Sequence, residues 1–337
     1  MHFYEVKAMS NIWYTYKPVD TILVRGADDD ASSAFSIFPP PASTIIGALR
    51  TAYLFQQGID FVDYKNNKAD QSIYNAIGKA SEQASFAVLG PLFLKDMQIY
   101  APCPAGWFYQ SEKENTDDNI INIIELQKDN IIPLRSFSQK QYNSIYSSKP
   151  IKAWPKKYCD KMKPMGDKYI SLDDLLNFKN KENITLYTHN YFFTKEPRVG
   201  VALYDNRNTR EGKLYSFSHY RLVSNTALLF AITQDIGLGS EGMMKLGAEQ
   251  RFGKYTKFTN TILEQLEQNE INNTAYYHMS LSYNQCTDIQ NSILAFERIV
   301  YFGGWDLAKG FHKPMTAHYP PGSLFSQKLT NTIGLSL

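Results

Sequence analysis

The distribution of apolar and polar residues predicts a strand and then a helix near the start of the chain. Residues 11–17 alternate apolar and polar side chains, which is typical of a half-buried strand. Residues 38–41 hold three prolines, which favour an extended backbone ahead of a helix. The helix that follows can be capped by Ser43 or Thr44 and can end at Gly58. Its buried face is predicted to carry Ile45, Ala48, Leu49 and Ala52.

The next segments are predicted to be a helix, a pair of strands and a long insertion. Residues 69–83 have the spacing of an amphipathic helix. Residues 86–100 are apolar on both sides of Gly90-Pro91, which predicts two strands joined by a turn there. Residues 103–195 have weak periodicity and more charge, as is typical of an insertion or a partner-binding surface.

The second half of the chain begins with a predicted long hairpin and a buried strand. Residues 198–204 and 213–223 are strand-like and flank a polar turn. Residues 226–233 are strongly apolar, as expected of a central strand. The later pattern predicts a helix, a strand, a second helix and a short strand at residues 259–270, 275–283, 287–298 and 299–302.

This order predicts an α+β fold class with two ferredoxin-like (RRM-like) units, the second small and irregular. Residues 1–258 are assigned to the first unit, because their elements fit most of a βαββαβ order. This unit carries the insertion at about 103–195 and the hairpin at 198–222. Residues 259–337 are assigned to the second unit. The second helix expected in the first unit has the weakest pattern.

Charge and cysteine content limit the possible functions. The chain has 35 Lys and Arg against 33 Asp and Glu, so any basic groups for RNA must be arranged locally. Its three cysteines are far apart, which predicts no disulfide framework and a reducing, cytoplasmic compartment. No apolar run reaches the roughly 18 residues of a membrane span, so no membrane contact is expected.

The tract at residues 18–54 predicts an anion site. Prolines deliver the chain to a helix whose first turn, around Thr44, has free N–H groups and the positive end of the helix dipole. Gly47 inside this helix predicts close approach by another backbone. Arg50 lies one turn beyond Gly47, and Arg25 precedes the loop. The alternative is a buried helix with ordinary caps.

A glycine-rich segment at residues 237–253 is the second candidate. Glycines let main-chain N–H groups approach a phosphate while nearby cations neutralise it. The cations around Glu249 are Lys245, Arg251, Lys254 and Lys257. The alternative is a flexible loop with solvated charges. The Gly-x-Gly-x-x-Gly spacing that begins at Gly237 also fits a dinucleotide site, but Gly247 and Gly253 interrupt the helix that such a site requires.

The residue pattern gives little support for catalysis or metal binding. An endoribonuclease needs a positioned acid–base group, and among six histidines we consider His219, in the hairpin, the one that could lie near RNA. His312 and His318 have no further ligand nearby, so neither a metal nor a cofactor is expected. A scaffold without direct RNA contact is the other alternative. The RRM sequence motif is absent, so readout by stacked sheet aromatics is not expected.

Four blocks of the sequence carry a family resemblance. Residues 18–50 contain Pro-x-Asp, Arg-Gly and Phe-Pro-Pro-x-x-x-Thr-x-x-Gly-Ala-Leu-Arg. The other blocks are the hairpin at 197–222, the Leu-Gly-Ala-Glu-x-Arg element within 244–255 and a terminal block at 303–325. They resemble RAMP proteins, the ferredoxin-fold RNA-binding subunits of CRISPR systems, and specifically the third subunit of the type III-B (Cmr) effector complex. Ala248 departs from the family, which has a second glycine there.

The resemblance implies a non-catalytic subunit that binds the repeat-derived 5′ handle of the guide RNA (crRNA). It also implies contact with the large polymerase/cyclase-like subunit and with a neighbouring RAMP backbone subunit. Readout would be limited to unpaired handle bases. The predicted RNA-binding residues are Arg25, Thr44, Gly47, Arg50, Arg198, Lys213, Tyr215, Gly247, Arg251, Lys254, Trp305, Lys309 and Lys313.

Overall fold

The chain is built mainly from strands. The computed structural model describes residues 11–26, 33–34, 36–111, 122–136, 153–271, 277–287, 289–306 and 309–335. The helices in these ranges are α1 (Ala42–Gln56), α2 (Phe61–Lys65), α3 (Gln71–Ile77), α4 (Leu172–Leu176) and α5 (Thr261–Ile271). None of the helices in these ranges is both long and apolar enough to span a bilayer.

The strands are numbered along the chain. Those of the first half are β1 (Ile12–Pro18), β2 (Ser33–Ala34), β3 (Val88–Lys95), β4 (Gln98–Pro102), β5 (Phe108–Gln110), β6 (Ile123–Gln127), β7 (Ile131–Ile132), β8 (Leu134–Ser136), β9 (Ala153–Pro155), β10 (Met162–Pro164), β11 (Tyr169–Ser171) and β12 (Asn183–Tyr187). Those of the second half are β13 (Phe193–Leu203), β14 (Thr209–Leu222), β15 (Thr226–Ile232), β16 (Glu241–Lys245), β17 (Phe252–Phe258), β18 (Tyr277–Ser280), β19 (Asn284–Gln285), β20 (Ile293–Ala295), β21 (Val300–Phe302), β22 (Trp305–Asp306), β23 (Phe311–His312), β24 (Thr316–Tyr319), β25 (Leu324–Phe325) and β26 (Thr332–Leu335).

Nine of these strands form one antiparallel sheet in the order β16–β17–β1–β15–β3–β4–β11–β12–β6. Strand β15 lies between β1 and β3, and α1 lies between those two strands in sequence, which is a split βαβ arrangement. The predicted α+β class is therefore confirmed, with mostly antiparallel sheets. The two ferredoxin-like units stay a prediction, because residues 233–251 contain strand β16 and no helix where such a unit has its second helix.

Alternating side chains give the central sheet two buried faces. Tyr14 and Phe230 belong to the face covered by α1, where Leu49 is fully buried. Trp13 and Leu229 belong to the opposite face, which is covered by α5 and by the sheet β20–β25–β18–β26. Burial of one large apolar side chain contributes about 1.5–3 kcal/mol. Strands β1 and β15 therefore contribute side chains to both apolar layers.

Aromatic packing fixes the base of the β13–β14 hairpin. Phe192 stacks on Phe93 with ring centroids 4.8 Å apart, and Phe193 lies 5.7 Å from the same ring. Phe38, from the proline-rich segment, lies 4.6 Å from Phe193 and 4.7 Å from Tyr220. These contacts hold the start of β13 and the end of β14 against the central sheet.

The segment predicted as an insertion takes part in this sheet. Residues 103–195 contain β11, β12 and β6, which extend the sheet beyond β4. Trp107 is buried, and its Nε1–H donates to the Tyr277 hydroxyl at 2.8 Å, in the second half of the chain. The periodicity of these strands is weak because they are short and β6 alternates only between exposed and half-buried positions. The predicted domain boundaries stay a prediction.

Several local predictions are confirmed. Strands β1, β13, β14 and β15 and helices α1 and α5 lie where the pattern predicted them. Gly58 follows α1 with a φ of +65°, as predicted for the end of that helix. The predicted caps are wrong: the chain is already helical at Ala42, so the cap position belongs to Pro41 rather than to Ser43 or Thr44. Pro41 provides no side-chain hydrogen bond.

Three other predicted elements are wrong. The helix predicted at 69–83 stops at α3, because Gly78 takes a φ of +74°. Strand β3 continues through Gly90-Pro91, and the turn lies instead at Asp96 and Met97, which both have positive φ. The described residues of 287–298 contain strand β20 and turns rather than a helix, because Ile293 and Ala295 pair with β25.

Candidate functional site

Three arginines converge on the carboxylate of Asp20, just beyond the end of β1. Asp20 Oδ1 accepts a hydrogen bond from Arg221 Nη2 at 2.8 Å. Asp20 Oδ2 accepts from Arg251 Nη1 at 2.7 Å and from Arg198 Nη2 at 3.3 Å. The arginines come from both strands of the hairpin and from the glycine-rich segment, so one carboxylate joins three distant parts of the chain.

Two further acids contact the same arginines. Glu196 Oε1 accepts from Arg198 Nη2 at 2.6 Å, and Glu196 Oε2 accepts from Arg221 Nε at 2.8 Å. Glu249 Oε2 accepts from Arg251 Nη2 at 3.2 Å. We call the six residues the arginine cluster: Asp20, Glu196, Arg198, Arg221, Glu249 and Arg251. The cluster has three arginines and three acids, and each arginine forms ion pairs with acids of the cluster. The arginines are therefore bound mainly within the fold.

Backbone hydrogen bonds bring the parts of the cluster together. Ile22 N–H donates to Tyr220 O at 2.8 Å, and Tyr220 N–H donates to Ile22 O at 2.9 Å. Ala248 N–H donates to Leu23 O at 2.7 Å. Gly247 permits this approach, because its φ is +89° and an added Cβ would lie 2.3 Å from Leu23 O. The segment after β1 is therefore held between β14 and the glycine-rich loop.

The arginines keep the acids of the cluster ionised. Burial acts to raise the pKa of Asp20, but hydrogen bonds from Arg221 and Arg198, with their charges, lower it from 3.8 to about 2. Hydrogen bonds from Arg221 and Arg198 also lower the pKa of Glu196. Both carboxylates therefore contribute stability above their ordinary pKa values, and this contribution is lost as the pH falls through the lowered values.

A buried histidine lies against the arginine cluster. His219 is 1% exposed, its Nδ1 lies 3.0 Å from Thr21 Oγ1, and its Nε2 lies 3.7 Å from Glu249 Oε2. Burial first, and then the charge of Arg198, lowers the pKa of His219 from 6.5. The imidazole is therefore neutral at pH 7 and closed off from solvent.

We expect His219 to contribute to a loss of stability as the pH falls below 6.5. Its lowered pKa means that the unfolded chain binds a proton more readily than the folded chain, so acid favours unfolding. In His219→Gln, the melting temperature should fall less than in the wild type between neutral pH and about pH 5.5. His278 and His318, whose pKa values are also lowered by burial, remain in both proteins as an internal reference. An equal fall in both proteins would contradict the assignment.

Two predicted cations outside the arginine cluster are exposed. Arg25 places its guanidinium 4.5 Å above the ring centroid of Phe217, on β14. Lys254 forms an ion pair with Glu241 at 2.5 Å, and both side chains are more than half exposed. Arg198 and Arg251, by contrast, are engaged in the cluster. Direct RNA contact by any of these residues stays a prediction.

The predicted residues of α1 make structural contacts. Arg50 donates from Nε to Ile77 O at 2.8 Å and from Nη2 to Glu82 O at 3.1 Å, which holds the loop after α3. Thr44 is half-buried in the first turn of the helix. An added Cβ at Gly47 would have no atom within 4 Å, so the predicted close approach of another backbone is wrong at that position.

The remaining predicted residues lie on β14 or in or beside the β22–β23 pair. Trp305 begins β22, which pairs with β23, and Lys309 and Lys313 are exposed beside this short ladder. Lys213 and Tyr215 lie on β14. The side chains of Lys213, Tyr215 and Trp305 are outside the described part of the structure. Their role in RNA binding stays a prediction.

Sequence reasoning missed Glu196 and Arg221 and gave Asp20 and Glu249 no role. A usable indication was present, because three motif blocks each contain a charged residue, namely Asp20, Arg198 and Arg251. Opposite charges in separate motif blocks predict an ion pair between those blocks. The sequence alone did not show that Asp20 contacts Arg198 and Arg251.

The structure does not support the dinucleotide site. The segment at Gly237 leads into strand β16 rather than into a helix. Gly242 is explained by packing, because an added Cβ would lie 2.6 Å from the Tyr255 hydroxyl. Ala248 does not take a positive φ, so its replacement of the family glycine introduces no backbone strain. Across the described ranges, no group of three or more His, Cys, Asp or Glu residues could hold a metal ion.

Comparison with known proteins decides the family. The family model described as CRISPR-associated protein (Cas_Cmr3) matches residues 14–283. The chain belongs to this family. The match includes the first three motif blocks and confirms the resemblance to the third subunit of the type III-B (Cmr) complex. No curated protein matches the chain by sequence.

Two solved structures are similar in fold. One is a chain of the cryo-EM structure of type III-B Cmr-beta bound to cognate target RNA, with a TM-score of 0.54 and 14% identity over 94% of this chain and 86% of that chain. The other is from Cmr-beta bound to cognate target RNA and AMPPnP, with a TM-score of 0.52 and 13% identity over 93% and 85%. The likeness extends the shared fold over nearly the whole Cas_Cmr3 chain.

Proposed function

We propose that the chain holds the repeat-derived 5′ handle of the crRNA in a type III-B CRISPR effector complex, without cleaving it. It would contact the large polymerase/cyclase-like subunit and a neighbouring RAMP backbone subunit. Membership of the Cas_Cmr3 family supports an effector role, and the two similar chains come from Cmr-beta complexes bound to target RNA. The split βαβ arrangement supports a ferredoxin-like first unit that lacks its second helix.

The meeting of three motif blocks in the arginine cluster carries the proposal. Asp20 comes from the first block, Arg198 from the hairpin block and Arg251 from the glycine-rich block. An RNA strand that touches both the hairpin and the glycine-rich loop requires the two at a fixed separation. Binding to elements that are already positioned loses less conformational entropy. Arg198 and Arg251 would thus position the RNA-binding elements, while exposed cations such as Arg25 contact phosphates.

A cleaving role has less support from the geometry. General acid–base catalysis requires the side chain to reach the proton that it transfers. His219, the histidine expected nearest to RNA, is 1% exposed and is surrounded by Thr21 and Glu249. The endoribonuclease alternative therefore needs another residue. The scaffold alternative is separated from RNA binding by the experiment that follows.

Co-purification followed by RNA sequencing tests the proposal. The chain expressed with its neighbouring genes should recover a large partner protein and short RNAs that share one repeat-derived 5′ end. Arg25→Ala should lower the recovered RNA about fivefold and reduce the salt dependence of binding by about one phosphate contact. Lys65→Ala, which removes an exposed cation on α2, is the matched control and should leave recovery unchanged.

The other outcomes separate the alternatives. Recovery of the partner without RNA would favour the scaffold. RNA that becomes shorter during incubation with the wild-type chain would favour the endoribonuclease. Recovery of neither partner nor RNA would contradict the proposal.

A further inference from the structure

An open part of the central sheet lies beside the arginine cluster. Strands β16, β17 and β1 pair in register, so residues directly opposite one another share a face. A hydrogen bond from Val19 N–H to Phe252 O at 3.0 Å extends the ladder past the end of β1. We call the nine residues of three successive rows the lysine face: Glu241, Thr256 and Thr15; Met243, Lys254 and Lys17; Lys245, Phe252 and Val19.

The lysine face is open to solvent although the same side of the sheet is covered further along. Helix α5 covers the part near Trp13, whose Nε1–H donates to Glu267 at 3.2 Å. On the lysine face, Val19 is 66% exposed, Met243 49% and Phe252 48%. Large apolar side chains grouped on an open surface mark an interaction site.

The charges of the lysine face favour an anionic partner. Lys17 and Lys254 are directly opposite in register, where like charges are destabilising. Lys245 lies in the next row and is also exposed. Glu241 is the one acid of the nine residues and pairs with Lys254. Three lysines and one glutamate leave a net positive charge, which a polyanion would neutralise.

We propose that the lysine face binds single-stranded RNA, with Phe252 stacked on an unpaired base and the lysines in contact with phosphates. An aromatic ring set among cations is the combination with which proteins bind single strands. Met243 and Val19 extend the apolar area beside the ring. This role for a sheet aromatic differs from the expectation drawn from the missing RRM motif.

The position of the lysine face connects it with the arginine cluster. Phe252 directly follows Arg251, and Val19 directly precedes Asp20. The lysine face and the arginine cluster therefore adjoin each other along the chain at two points. The lysine face deepens the proposed function. It rests on that function only for the claim that the bound RNA is the guide, because stacking and phosphate contacts require no particular sequence.

Binding of oligouridine to the purified full chain tests the lysine face. We expect Phe252→Leu, which keeps an apolar side chain, to weaken binding of a labelled oligouridine about tenfold in fluorescence anisotropy. Lys17→Gln should weaken binding severalfold and lower the salt slope by about 0.7. Matched controls are Phe55→Leu, at an 84% exposed ring on α1, and Lys65→Gln on α2, and neither should change affinity. Equal melting temperatures would show that all variants fold.

Three results would overturn the inference. The wild-type chain could fail to bind oligouridine, or the variants of the lysine face could bind it as tightly as the controls do. The same variants could instead keep RNA and lose a co-purified protein, which would make the face a protein interface. If the wild-type chain binds oligouridine but recovers no handle RNA on co-purification, the proposed function is contradicted and the lysine face is not.

Discussion

Replacing Gly247 by alanine is expected to lower the free energy of unfolding by about 3 kcal/mol. The φ of Gly247 is +89°, and a Cβ there would lie 2.3 Å from Leu23 O, a backbone atom. Leu23 O also accepts the hydrogen bond from Ala248 N–H, so the loop cannot shift without losing that contact. Urea unfolding of the purified full chain measures the change.

Gly47→Ala provides the control for the same chemical change. Gly47 lies inside α1, and an added Cβ meets no atom within 4 Å. Alanine there should raise the free energy of unfolding by about 0.5–1 kcal/mol, because glycine is the poorer helix former. The two substitutions should therefore have opposite signs. An unchanged urea midpoint for Gly247→Ala would contradict the close approach of the loop to Leu23.

Asp20→Asn is expected to lower the free energy of unfolding by about 1–2 kcal/mol. Asparagine keeps the shape of the side chain but removes the charge that three arginines share. The estimate is reduced for solvent screening, because the Asp20 side chain is 39% exposed. The hairpin should also be cleaved faster in limited proteolysis, since β13 and β14 lose their charged contacts with Asp20.

The pH dependence and a matched control make this prediction specific. The lowered pKa of Asp20 means that the difference between wild type and variant should persist down to about pH 4 and decrease as the pH approaches 2. Glu241→Gln removes an acid from a single, highly exposed ion pair and should change stability by less than about 0.5 kcal/mol. Equal effects of the two substitutions would mean that Asp20 does not organise the arginine cluster.

The elements that could be predicted are those whose formation depends on neighbours in sequence. Strand β15 is apolar at nearly every position and is buried along its whole length. Gly58 supplies the positive φ that ends α1. The helix predicted at 287–298 was wrong because pairing with β25 overrides a weak local preference. The strands of 103–195 could not be predicted, because β11 has only three residues and β6 has no buried position.

The candidate site was predictable only in part. Motif positions singled out Arg198 and Arg251 as cations. An arginine can bind a phosphate or form an ion pair within the fold, so the residue type does not tell the two roles apart. Asp20 is separated from these arginines by 178 and 231 residues along the chain. Their meeting depends on how β13 and β14 pair with each other and on how β1 pairs with β17. The motifs therefore identified important positions before the structure gave their contacts.

By itself, the sequence determined the α+β class, the Cas_Cmr3 resemblance and the positions of β1, α1, the hairpin and β15. Periodicity, turn residues and motif spacing are local properties, and they are present in the unfolded chain. Only the tertiary structure decided the strand order of the nine-stranded sheet, the arginine cluster and the exposure of the lysine face. These features depend on register between distant strands, and a shift of one residue would move every side chain of a strand to the other face.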